Sequence, residues 1–125
     1  MQTLAPSHEV STVAHKREVH YSATGLWTLE AIADLQKSLY GASKSFIEAG
    51  QKFRVLGDLT DFPVQPGPIA EQMQKIQEAS AQLGVERMAL VIPSALVRLQ
   101  FRRVSAALVI EFFDDRESAL AWLRA

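Results

Sequence analysis

At 125 residues the chain has the size of one independently folding unit, and its 48% apolar and 22% charged residues describe a globular protein with a substantial core rather than a disordered one. A net charge of -1 supplies no global field for nucleic acid or an anionic membrane, and the lack of cysteine removes disulfides, thiolate metal sites and cysteine nucleophiles. The opening Met1-Gln-Thr-Leu-Ala-Pro-Ser-His8 has neither the basic flank nor the apolar run of a signal peptide. No apolar stretch approaches the roughly 20 residues that span a bilayer, so no membrane span is expected and the expected location is the cytoplasm.

In chain order, residues 1–9 are polar and contain Pro6, which reads as a flexible lead-in to a single domain over 10–125. Residues 10–16 and 17–24 are richer in Val, Tyr and Thr and predict two short strands. The second alternates Val19, Tyr21 and Ala23 against His20, Ser22 and Thr24. Thr28 is positioned to cap a helix over 29–49, closed by Gly50, with an apolar stripe of Leu29, Ile32, Ala33, Leu39, Tyr40, Phe46 and Ile47. A strand over 53–59 follows, and then Pro63, Pro66, Gly67 and Pro68 forbid regular structure. A second helix over 69–83 is expected to bury Ile69, Met73, Ile76, Ser80 and Leu83, ending at Gly84 before a strand over 87–92. Ser94 can cap a third helix reaching Arg103, the run 108–113 reads as the last strand, and Asp114 with Glu117 forms an acidic capping box for a fourth helix. The order β-β-α-β-α-β-α-β-α predicts an α/β domain: a mixed five-stranded sheet with four helices, its first strand antiparallel and the rest joined by right-handed crossovers.

That order resembles the STAS fold of anti-sigma-factor antagonists. The closing Phe112-Phe-Asp-Asp-Arg-Glu-Ser-Ala-Leu-Ala-Trp-Leu123 is similar to the uncharacterised bacterial SpoIIAA-like branch, where a strand ending in Phe precedes an acidic cap and an Ala-rich helix. Arg54-Val-Leu-Gly-Asp-Leu-Thr-Asp61 is similar to the central strand that, in the antagonists, leads to a phosphorylatable serine at a helix N-terminus. Here the matching place falls near Gly67, between two prolines, and no Ser, Thr or Tyr lies between Thr60 and Ser80. The resemblance therefore implies a switch module without the usual phosphoserine, binding constitutively or sensing another signal.

Three sets of residues are candidates for function. Arg98, Arg102 and Arg103 give the third helix a basic surface for a phosphate or an acidic partner, although cations also suit a solvated helix C-terminus. Asp58, Thr60 and Asp61 form a polar group at a strand end, where α/β ligands often bind, but Asp is equally an ordinary turn former. His8, His15 and His20 follow no ligand spacing and read as exposed strand residues, while Trp27 and Trp122 read as core or rim. No phosphate loop, nucleophile elbow or catalytic triad occurs, and no cofactor is implied.

The leading expectation is a non-enzymatic regulatory domain. It would bind another protein, such as a sigma-factor regulator or sensor, through the loop 60–68, which contains Gly67, and the surfaces of 69–83 and 94–103. The alternative is a small-ligand or lipid-binding domain, since the resemblance extends loosely to lipid-carrier folds. An enzyme would require Asp58, Asp61 and a distant His20 to converge. The apolar residues exposed in the first strands also predict a homodimer through a sheet edge.

Overall fold

A computed structural model of the chain describes residues 5–102 and 108–125. The elements are β1 (Ser7–Val13), a short 3₁₀ turn, β2 (Glu18–Thr24), α1 (Leu29–Glu48), β3 (Phe53–Asp58), α2 (Gly67–Leu83), β4 (Val85–Val91), α3 (Ala95–Arg102), β5 (Ile110–Phe113) and α4 (Arg116–Leu123). They build the expected mixed sheet in the order β1-β2-β3-β4-β5, with β1 antiparallel to β2 and every later pair parallel. Because each parallel strand is added on the same side of the last, right-handed crossovers place α1, α2 and α3 together on one face. Among the described residues, α4 alone, which follows the final strand, covers the other.

The larger core lies on the three-helix face, where Val19, Ala23, Val55, Met88 and Leu90 meet Ile32, Leu35, Phe46, Ile69, Met73, Val97 and Phe101. The smaller core lies beneath α4, where Leu56, Ala89 and Val91 meet Ala119 and Leu123. Cover on both faces explains why β3 and β4 read as nearly continuous apolar runs instead of alternating ones.

The boundaries differ from the sequence-based expectation at several places, each for a local reason. β1 begins at Ser7, so residues 7–9 pair with 22–24 and do not belong to a lead-in. α2 begins at Gly67, because Pro68 in the first turn needs no amide partner and fits the helix start. The cap of α4 is Asp115, not Asp114: Asp115 Oδ1 accepts from Ser118 N at 2.8 Å, which holds its pKa below the ordinary value. Leu29 and Tyr40 face solvent and lie outside the buried stripe of α1, and Leu83 is exposed at the end of α2. Thr28 does cap α1, and Gly50 and Gly84 do take the left-handed conformation after α1 and α2.

The largest departure from strand alternation is at β2. Glu18 and His20, on the side expected to meet water, are buried at 1% and 8% exposure. Glu18 receives the guanidinium of Arg124 on both oxygens, at 2.8 and 2.9 Å, and lies 2.9 Å from His20 Nε2. Arg116 donates to His20 Nδ1 at 3.0 Å, so the imidazole hydrogen sits on Nε2 and donates a hydrogen bond to Glu18 Oε1. These contacts join the first parallel strand to the last helix across most of the chain. Arg54 adds a 2.6 Å bond to the carbonyl of Leu123, and Arg87 one of 2.5 Å to that of Ala125, meeting acceptors that the end of α4 leaves open.

The Arg124 hydrogen bonds, helped by His20 and opposed by burial, hold the Glu18 carboxyl below its ordinary 4.5. The stabilisation is therefore complete above that value and drains away as pH falls through the lower folded value. Glu18→Gln is expected to cost about 2 kcal/mol in urea unfolding at neutral pH. That is less than for a fully buried pair, because the stranded Arg124 still reaches water. The gap between variant and wild type should close in acid; a gap independent of pH would contradict the role given to Glu18.

Candidate functional site

Parallel strands end on the same side of a sheet, so the segments following β3 and β4 share one rim. At that rim Asp58 Oδ1 accepts from Thr60 N at 3.2 Å and from Thr60 Oγ1 at 2.6 Å, closing a turn of the kind short polar side chains form. Leu59 and Phe62 then insert into the core. Asp61 is exposed beside them. His20 is engaged with Glu18 and Arg116, and Asp58 with Thr60.

The loop after β3 is fixed by a residue that sequence patterning does not single out. Gln65 is 4% exposed, and its Oε1 accepts from Trp27 N at 2.9 Å while its Nε2 donates to the carbonyls of Gly25 and Pro63, each at 3.0 Å. Its own backbone exchanges bonds with the side chain of Gln100 on α3, at 3.0 and 2.9 Å. One amide thus ties the loop to the β2–α1 turn and, through its backbone, to α3. Beside this seam three apolar residues face outward: Val64 at 48% exposure, Leu96 at 68% and Leu99 at 48%.

The basic residues of α3 are placed differently from one another. Arg98 is turned inward, donating to the Ile92 carbonyl at 2.5 Å and to Asp114 Oδ1 at 2.8 Å, so it joins α3 to the ends of β4 and β5. Arg102 is exposed, with its guanidinium 5.3 Å above the ring of Phe112. Arg103 lies outside the described residues. Gly67 opens α2 at an exposed position where a Cβ would meet nothing within 4 Å. Among the histidines, His8 reaches Ser38 and the ring of Trp27, His15 is exposed, and His20 is buried. No group of three or more His, Asp or Glu suited to a metal occurs among the described residues.

An apolar cavity lies elsewhere, between α1 and α2 above β2, β3 and β4. It holds about 440 Å³ and is walled by apolar side chains including Val55, Met88, Leu39, Ile47 and Ile76. Tyr21 and Gln77 also line it, and Lys37 and Tyr40 stand at exposed positions of its wall. Gly57 sets the position of Tyr21: a Cβ there would come within 2.7 Å of Tyr21 Cζ and Oη and of Leu90 Cδ2, so the phenol rests directly on the β3 backbone. Burial pushes the Tyr21 hydroxyl pKa up, and it stays protonated.

A family model described as SpoIIAA-like matches residues 19–124. Among solved structures, an uncharacterised protein with a SpoIIAA-like fold from Shewanella loihica is 17% identical, with 98% of this chain and 97% of that chain covered at a TM-score of 0.72. An anti-sigma factor antagonist from Mycobacterium paratuberculosis is 11% identical, with 97% and 96% covered at a TM-score of 0.62. No functionally curated protein matches the sequence. At these identities the two structures share the fold.

Gln65→Leu would strand the Trp27 amide and the Gly25 carbonyl, and is expected to cost about 3 kcal/mol in urea unfolding. Arg102→Ala, at an exposed contact, should stay within about 1 kcal/mol. Equal effects would show that Gln65 does not anchor the loop.

Proposed function

The chain belongs to the SpoIIAA-like family, and we propose that it is a non-enzymatic regulatory domain that binds another protein at the carboxyl rim of its sheet. The contact would be made by the loop 60–66, the first turn of α2 at Gly67 and the outer face of α3. The observation that carries this reading is the outward set of Val64, Leu96 and Leu99 beside the Gln65–Gln100 seam. Apolar side chains displayed on a hydrogen-bonded, preorganised surface give a partner area to cover without distorting the loop. Shared fold with an anti-sigma factor antagonist supports a protein as the occupant, with a sigma-factor regulator or sensor as the class to look for.

Asp58 and Thr60 complete each other, so they shape the rim, while Asp61 and Arg102 are exposed to meet polar groups of a partner. Arg98 acts indirectly by holding α3 against Asp114. Because Gly67 opens α2 and no hydroxyl lies between Thr60 and Ser80, we infer that serine phosphorylation at this helix start does not gate the contact. A second copy of the chain would find its place along β1, which forms one edge of the sheet.

A second reading is favoured by one observation, the apolar cavity between α1 and α2, whose size lies in the range of small-ligand sites. The two readings use different surfaces and can be separated. In capture from the host's extract, Leu96→Asp with Leu99→Asp is expected to release a protein retained by wild type, by a factor of about a hundred in affinity. Retention of every wild-type partner by this double variant would defeat the interaction reading.

A further inference from the structure

The polar groups of the α1–α2 cavity restrict what it would hold, and the inference rests on the ligand-binding reading above. Gln77 lies on the buried face of α2 with Ile69 and Met73, at 5% exposure, and its Oε1 is shut away from solvent without a hydrogen-bond partner. Tyr21, opposite on the sheet floor, has no hydrogen bond to its hydroxyl among the described residues. The serines of the wall have already committed their protons: Ser43 donates to the Leu39 carbonyl at 2.7 Å and Ser80 to that of Ile76 at 2.8 Å. Within the mainly apolar lining, Gln77 Oε1 is a buried acceptor without a donor, and the Tyr21 hydroxyl is a donor without a bonded acceptor among the described residues.

We propose that this cavity binds an uncharged, mainly hydrocarbon molecule bearing a hydroxyl group, placed so that the hydroxyl donates to Gln77 Oε1 and accepts from Tyr21 Oη. A hydroxyl does both at once, whereas a carboxylate only accepts and would leave Gln77 unmet. A carboxylate would also need a cation, and the charged residue of the lining is Lys37, which stands at an exposed position of α1 rather than beside Tyr21 and Gln77. The hydrocarbon portion would lie along Val55, Met88, Leu39, Ile47 and Ile76. Gly57 contributes as a positioning residue, since it lets the phenol lie flat on β3.

The test is calorimetric titration of the full chain with decanol, decanoate and decane. Decanol is expected to bind most tightly, and Gln77→Leu and Tyr21→Phe should each weaken it about tenfold while leaving decane binding unchanged. Two variants on different elements guard against a fold defect in either one. Decane binding as tightly as decanol, or decanol binding unaffected by both substitutions, would overturn the hydroxyl assignment while leaving an apolar ligand site standing. Decanoate binding most tightly, with the loss on Lys37→Ala instead, would overturn it in favour of an anionic head at the rim. Failure of all three probes to bind would remove the ligand reading itself.

Discussion

A carboxylate buried at the start of a strand has to be neutralised in place, and Glu18 is neutralised by the far end of the chain. Arg124 grips both of its oxygens, while His20, held by Arg116, meets it from the side. The consequence reaches beyond one ion pair. α4 is a short helix of eight residues that, among the described residues, covers the second face of the sheet alone, and its buried residues are Ala119 and Leu123. The Glu18 contacts, together with Arg54 and Arg87 on the carbonyls of Leu123 and Ala125, supply the remaining hold. One face of the sheet is thereby closed by charge and hydrogen bonding, and the other is covered by three helices and contains both the cavity and the outward apolar residues.

This division follows from chain topology. Adding each parallel strand on the same side forces the crossovers onto one face, so α1, α2 and α3 cannot avoid being neighbours. Where α1 and α2 diverge above the middle strands, the space between them is the cavity. Where α3 meets the loop after β3, the Gln65–Gln100 pairing fixes the rim. Binding surfaces held by a rigid sheet and a locked loop lose little freedom when a partner arrives.

Much of the architecture was legible because it depends on local signals. Thr28 before α1, the left-handed Gly50 and Gly84, and the apolar runs of β3 and β4 each mark an element within a few residues of its observed place. Periodicity also showed which residues of α1 share a stripe, but not where the stripe's centre lies, and so Leu29 and Tyr40 were expected inside. The cap is Asp115, which bonds Ser118 N, while Asp114 pairs with Arg98 sixteen residues earlier. The candidate surfaces were less legible. Glu18, Gln65 and Gln77 are polar residues whose burial is decided by partners or cavities formed by distant segments, and neither composition nor spacing reveals that. Arg98 has the same chemistry as Arg102 in sequence, yet one is half-buried and bonded to the Ile92 carbonyl and the other is exposed.

The central claim is that the Glu18 contacts hold α4 firmly on its face of the sheet, while α1 and α2 enclose the cavity on the other. Amide hydrogen exchange of the free chain at neutral pH tests it without knowledge of any partner. The expected result is slow exchange in β2, β3, β4 and α4, with faster opening in α1 and α2 along the cavity. Exchange of α4 ahead of the cavity helices would contradict it, because the Glu18 contacts would then not be holding the last helix in place.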